Sequence, residues 1–286
     1  MPSIVKSDEV ILKGLVAGWP GSGKTTLLAS AADVPALSPV VCLSFEGGLL
    51  SVAHRGDIFE ERLHSMKQVD EVFWKVVNKD KEWAQFKTLL IDSGSELADL
   101  CLQEVVGAAY EKAKGNKDYA QRDSIDDVQL KDYGLSTRRT TRIFRWLRDL
   151  DSVNVLFSAL PKERYPQVPS SASKEEKQRF EANIKLGIIK PMQVVPSFTD
   201  KLGTTILGFL DFCFFLNVAD VKDEGQVRQL ITQPVGPLKF IKCRNPKAAE
   251  VFGKGLQVDY IGGKPTINGK PAMQAIYDGF SAGVRA

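Results

Sequence analysis

The sequence predicts an α/β fold: a mostly parallel central sheet, helices on both faces, and a small hairpin-and-helix appendage at the carboxyl end. Three observations predict it. Short apolar runs at 10–17, 40–45, 88–92 and 153–160 alternate with stretches of helical periodicity, the pattern of strands joined by crossover helices. The first run leads directly into Gly18-Trp19-Pro20-Gly21-Ser22-Gly23-Lys24-Thr25, which fits the phosphate-binding pattern G-x-x-x-x-G-K-[ST]. After that motif, Thr26-Leu27-Leu28-Ala29 begins a helix.

The chemistry of that motif follows from its residue types. Glycines let the backbone curl so that its N–H groups converge on phosphate oxygens. Gly18, Pro20, Gly21, Ser22, Gly23, Lys24, Thr25 and Thr26 are therefore the expected binding residues for ATP. Lys24 is expected to reach the β- and γ-phosphates, and the Thr25 hydroxyl to hold Mg²⁺.

Composition sets outer limits. A chain of 286 residues with 43% apolar content can bury one large core. A formal net charge of +3 does not by itself argue for nucleic acid. Cys42, Cys101, Cys213 and Cys243 lie scattered in apolar runs without C-x-x-C spacing, which predicts buried reduced thiols and no zinc. With no signal peptide and no apolar run long enough for a bilayer, a cytoplasmic protein without membrane contact is expected.

The second strand, 40–45, ends at Glu46, at the sheet edge where parallel sheets place ligands. Glu46 is a candidate for orienting or deprotonating a water, or a turn carboxylate. Between 54 and 87, the spacing of Val69, Val72, Phe73, Val76 and Val77 predicts an amphipathic helix. His54 and His64 have no metal-like neighbours. The third strand, 88–92, ends in Asp92, which is expected to serve the nucleotide's Mg²⁺ with Thr25. Ser93 follows it, so a catalytic glutamate must come from elsewhere: Glu46, with Glu96 behind it.

Taken together, the P-loop, a strand ending in Phe45-Glu46-Gly47-Gly48 and a strand ending in Ile91-Asp92-Ser93 resemble the RecA-type ATPase core. More narrowly, the chain resembles short phage-encoded RecA-like proteins, including the single-strand annealing recombinase branch. The resemblance covers roughly residues 8–245. It implies that Glu46 activates water and Asp92 serves the metal.

The remaining elements follow in order. Leu97 to Tyr110 predicts a helix; 107–133 is polar and is either a solvated insertion or, by the resemblance, a first DNA-contacting loop. Leu135 to Leu150 predicts a helix with Ile143, Phe144, Leu147 and Leu150 inward. Arg138, Arg142 and Arg145 recur along it, beside Arg139 and Arg148, as a basic stripe for a phosphate backbone, a solvated face or a subunit contact. The fourth strand, 153–160, ends at Ser158-Ala159, where the resemblance implies a longer polar sensor of the γ-phosphate. Residues 161–190 predict a loop with a short helix near 174–180. This is either a linker or, by the resemblance, a second DNA loop carrying Lys162, Arg164 and Tyr165, with Phe180 also able to stack on bases. A helix is expected from about Ser197, then strands at 211–216, 228–232 and 239–244. Lys242 and Arg244 resemble a basic pair offered to a neighbouring subunit's γ-phosphate; alternatively they are solvated edge charges. Residues 246–286 predict the appendage on a 1–245 core, with a Gly-Gly hairpin near 258–267 and a terminal helix at 271–280.

The expectation is an ATPase that binds single-stranded DNA and promotes annealing or recombination. It would self-associate into a ring or filament and meet a single-strand-binding protein. Two rivals stand beside it: a small-molecule phosphotransferase with 161–190 as lid, and a nucleotide-dependent loader or clamp acting through protein partners.

Overall fold

The computed structural model describes residues 10–47, 49–114, 116, 122–198, 200–221 and 225–285. Gly48 and most of the polar stretch 115–121, including Tyr119, lie outside the described residues. The expected α/β architecture is present. The order is β1 (Lys13–Ala17), α1 (Lys24–Ala29), β2 (Val40–Ser44), β3 (Ile58–Arg62), α2 (Met66–Val77), β4 (Thr88–Asp92), α3 (Gly94–Ala113) and α4 (Leu130–Arg148). Then come β5 (Asn154–Ala159), β6 (Pro161–Arg164), α5 (Lys174–Lys185), β7 (Gln193–Pro196), α6 (Asp200–Leu207), β8 (Phe212–Val221) and β9 (Gly225–Ile231). The chain closes with β10 (Lys242–Cys243), α7 (Pro246–Phe252), β11 (Gly255–Ile261), β12 (Lys264–Ile267), β13 (Lys270–Pro271) and α8 (Ala272–Arg285).

The main sheet runs β13-β12-β11-β9-β8-β1-β5-β4-β2-β3, with β10 added beside β8. From β3 to β8 every pairing is parallel; from β8 outward every pairing is antiparallel. The parallel strands β1, β2 and β5 are buried along their whole length, which is why they read as unbroken apolar runs. β1 and β8 approach so closely at Gly14 that a Cβ there would fall inside the Phe212 ring. Phe212 and Phe214 then pack with Phe252 of α7 and Phe280 of α8. On α4, Phe144 stacks on Phe157 of β5 at 4.6 Å.

Several elements differ from expectation for identifiable reasons. β3 was not foreseen because its Ile-Phe-Glu-Glu-Arg sequence, on the sheet's outer edge, is half-buried only at Ile58 and Glu61 and has no apolar run. α4 begins at Leu130, five positions earlier than Leu135, because Gln129 and Asp132 form a reciprocal cap. The expected strand at 239–244 contracts to Lys242–Cys243. The expected hairpin and terminal helix beyond 245 are present as β11–β12 and α8, and β11 joins them to the sheet by pairing with β9 from Gly255 to Val258. Segment 161–196 is a two-stranded arm, β6 against β7, carrying α5, which buries none of its residues. Among the described residues no helix is long and apolar enough to cross a membrane.

Candidate nucleotide site

The site forms where β1, β5, β4 and β2 end side by side. β1 runs into the loop 18–23, in which Gly21 and Gly23 hold positive φ angles of 74° and 96°. A side chain at Gly18 would put its Cβ 2.7 Å from both the Leu216 carbonyl and the Ser22 hydroxyl, so the loop closes only with glycine there. Lys24 is buried, and its ammonium donates to the Trp19 carbonyl at 3.0 Å, bridging the loop from within. Burial lowers the Lys24 pKa; the Asp92 and Glu46 carboxylates oppose that shift. Pro20 and Gly21 stand exposed at the tip, while Thr25 and Thr26 are half-buried on the first turn of α1.

The two expected carboxylates arrive from adjoining strands. β2 and β4 are in register with Ser44 opposite Asp92, and the Phe45 N–H donates to the Asp92 carbonyl at 2.9 Å. Glu46 and Ser93 therefore emerge beside each other, and the Ser93 hydroxyl donates to Glu46 Oε1 at 2.6 Å. The same hydroxyl accepts from the Glu96 N–H at 3.3 Å, capping α3. Thr25 Oγ1 donates to Asp92 Oδ2 at 3.0 Å, and Ser158 Oγ donates to Asp92 Oδ1 at 2.5 Å. Ser158 is fully buried, so it holds Asp92 from below and does not extend outward as a sensor. Burial and the nearby Glu46 and Asp99 charges raise the Glu96 pKa.

These residues fit a magnesium nucleotide. The Ser22 hydroxyl is buried and has no hydrogen-bond partner, as expected of a group waiting for a phosphate oxygen. Thr25 and Asp92 supply a hydroxyl and a carboxylate within 3.0 Å of each other, the hard oxygen donors that Mg²⁺ takes together with substrate phosphates. Among the described residues no cluster of three His, Cys, Asp or Glu side chains could hold a metal alone.

Two residues at this site were missed. Arg228 of β9 donates from Nε to the Ser22 carbonyl at 3.3 Å, and the Tyr260 hydroxyl of β11 donates to the Gly23 carbonyl at 3.3 Å. The Arg228 guanidinium lies 4.7 Å from the Tyr260 ring centroid. A Cβ at Gly23 would collide with the Tyr260 hydroxyl. Both residues sit more than two hundred positions from the loop, and no local pattern marks them. Only the pairing of β11 with β9 brings them in.

The basic candidates separate. Arg142 lies over Trp146 at 4.8 Å, while Arg145 and Arg148 both lie over Phe209, at 5.5 and 4.9 Å. Arg139 pairs with Glu104 at 3.3 Å. Much of the stripe thus packs on aromatic rings or pairs within the chain. Arg138 instead joins Lys162 of β6 in a cleft of about 720 Å³, with Tyr133 and Phe198 also in its walls. Tyr165 donates its hydroxyl to Glu163 at 2.5 Å, and Arg164 lies half-buried on β6. Lys242 is level with Cys213, and the Arg244 N–H donates to the Asp211 carbonyl at 2.7 Å. The Arg244 guanidinium donates to the Gly208 carbonyl. This pair sits at the amino end of β8, remote from the chain's own P-loop, which follows the carboxyl end of the parallel neighbour β1.

A family model described as an AAA domain matches residues 11–235. No curated protein matches the chain at a significant level.

Proposed function

The chain belongs to the AAA domain family, a P-loop ATPase family, and from that premise we propose that it couples ATP hydrolysis to single-stranded DNA as a self-associating protein. The observation that carries the DNA half is the 720 Å³ cleft. It offers two cations, Arg138 and Lys162, and one exposed aromatic ring, Tyr133, over a wall that includes buried Phe198 and the Asp99 carboxylate. Cations track a strand's phosphates and aromatic faces stack its bases without sequence preference. The cleft also adjoins the nucleotide site. A Cβ at Gly94, the residue after Ser93, would touch the Phe198 ring at 3.4 Å. Buried Phe198 therefore joins the cleft wall to the turn that carries Asp92 and Ser93.

In the hydrolytic step, the loop N–H groups, Ser22 and Lys24 hold the phosphates, and Thr25 and Asp92 hold the metal. Bound Mg²⁺ supplies positive charge to the β- and γ-phosphate oxygens. Glu46 accepts a proton from the attacking water, and the Ser93 hydroxyl fixes the direction in which its carboxylate points. Because Lys242 and Arg244 sit away from their own P-loop, their place in this reading is across an interface, on a neighbour's γ-phosphate. That is the reason for proposing self-association.

The experiment is an ATPase assay with and without oligo(dT) over a salt series, using wild type and Lys24→Ala, with sizing in a non-hydrolysable nucleotide. Stimulation that salt weakens, and assembly in the nucleotide, are the expected outcomes. ATPase activity indifferent to oligo(dT), with no salt-sensitive binding, overturns the DNA reading. A strict monomer overturns the trans role of Lys242 and Arg244.

A further inference from the structure

On the other side of Arg138 from the aromatic cleft, a second cavity of about 700 Å³ opens between α3 and α4. Its floor is aliphatic: Val105, Ala108 and Ala109 from α3, and Leu135 from α4. Leu135, on the second turn of α4, is 52% exposed there and adds its side chain to the aliphatic floor. Among the described residues no aromatic ring lines the cavity, which separates it from the cleft holding Tyr133 and Phe198.

The rim is cationic. Lys112 and Lys131 are exposed, and Arg138 and Arg142 complete the edge. The two carboxylates in the lining are already taken inside the chain. Glu104 pairs with Arg139 at 3.3 Å and accepts from the Met66 N–H at 2.5 Å. Asp132 is fully buried and pairs with Arg122 at 2.7 Å. Among the described residues, Lys112, Lys131 and Arg138 have no carboxylate partner of their own.

The groove is also preformed. Arg122 donates to the Asp127 carbonyl as well as to Asp132, and Asp132 accepts from the Gln129 N–H at 2.8 Å. These bonds tie the segment entering α4 to its first turn, so a ligand need not spend binding energy ordering the wall.

We propose that the α3–α4 groove docks an acidic segment of a partner protein that carries an aliphatic anchor. The unpaired cations steer and register the acidic flanks. The apolar floor gives the anchor a place to bury, where most of the affinity is gained. A nucleic acid is disfavoured because its bases find no ring to stack on. The inference is independent of the nucleotide site; the groove shares Arg138 with the DNA cleft, while its aliphatic floor and its two lysines are its own.

The test is fluorescence anisotropy on the full chain with a labelled Asp/Glu-rich peptide carrying a central Leu-Leu pair. Two controls replace the pair by Ser-Ser, or the acids by lysine. Wild type binds the first peptide and neither control. The double variant Lys112→Glu/Lys131→Glu, at exposed positions, weakens binding by at least about tenfold, or ~1.4 kcal/mol. Ala108→Phe, which fills the floor and leaves every charge in place, does the same. No binding to wild type, equal binding of the Ser-Ser peptide, or undiminished binding to the variants overturns the proposal.

Discussion

Thr25 Oγ1 donates to Asp92 Oδ2 at 3.0 Å across a strand that belongs to neither residue. β5 runs between β1 and β4, and from its end Ser158 takes the other Asp92 oxygen at 2.5 Å. The carboxylate is thereby oriented by two hydroxyls on two elements before any nucleotide is present. Asp92→Asn keeps the shape but removes the charge that attracts Mg²⁺. Steady-state assays should show hydrolysis falling by at least about a hundredfold, with a higher Mg²⁺ requirement. Wild-type Mg²⁺ dependence in that variant would exclude Asp92 from the metal's surroundings.

Glu46→Gln should leave nucleotide binding near wild type and lower kcat by roughly 10²–10⁴, the usual weight of a general base. Ser93→Ala removes the 2.6 Å bond that aims the Glu46 carboxylate, and should cost kcat about tenfold without moving nucleotide affinity. Stopped-flow binding and single-turnover hydrolysis separate the two effects. Equal losses of binding and turnover in Glu46→Gln would assign Glu46 to holding the loop.

Tyr260→Phe deletes one hydrogen bond to the P-loop backbone. With a net worth of about 1 kcal/mol, it should weaken nucleotide binding by roughly fivefold. Arg228→Ala loses both the Ser22 carbonyl contact and the stacking on Tyr260, and should cost more. Titration with a fluorescent nucleotide reads both; unchanged affinities would make the pair a bystander.

In the cleft, Arg138→Ala and Lys162→Ala should each reduce the salt dependence of oligo(dT) binding, by about 0.7 in the log–log slope. Arg145→Ala should leave that slope alone, because its guanidinium lies over Phe209. A reversed pattern would relocate the strand to the outer face of α4.

Lys13 gives a pH prediction. It is buried at the start of β1, donating to the Leu150 carbonyl at 2.7 Å and to the Val153 carbonyl. Burial lowers its pKa to about 8, against opposing pull from Asp211, Asp151 and Asp149. Between the folded value and the ordinary 10.5, the unfolded chain holds the proton that the folded chain has lost, so stability rises with pH. Below that window the full penalty remains. The stability difference between wild type and Lys13→Met should shift in favour of wild type by up to about 3 kcal/mol from neutral pH to pH ~10.5. Denaturant titrations across that range check it; a flat difference would mean Lys13 keeps its ordinary pKa.

What could be read in advance followed burial and locality. The P-loop is a contiguous pattern, and β1, β2, β4 and β5 are buried apolar strands, so Lys24, Glu46 and Asp92 were placed by counting to a strand's end. Ser93 carries no pattern of its own; its hold on Glu46 depends on the register of two strands. Arg228 and Tyr260 were invisible because their partners are backbone carbonyls at the far end of the chain. The arginine stripe was legible only in part, for a related reason. Helical spacing fixes the side of α4 on which Arg142 and Arg145 lie, but not that Trp146 and Phe209 wait there as platforms.

The arm formed by β6, α5 and β7 has one more consequence. Since α5 fully buries none of its residues and half-buries only Phe180, Asn183 and Ile184, substitutions along its exposed face carry little packing penalty. Such a segment can be exchanged like a cassette, rewriting the external contacts of the arm without disturbing the buried strands that carry the P-loop.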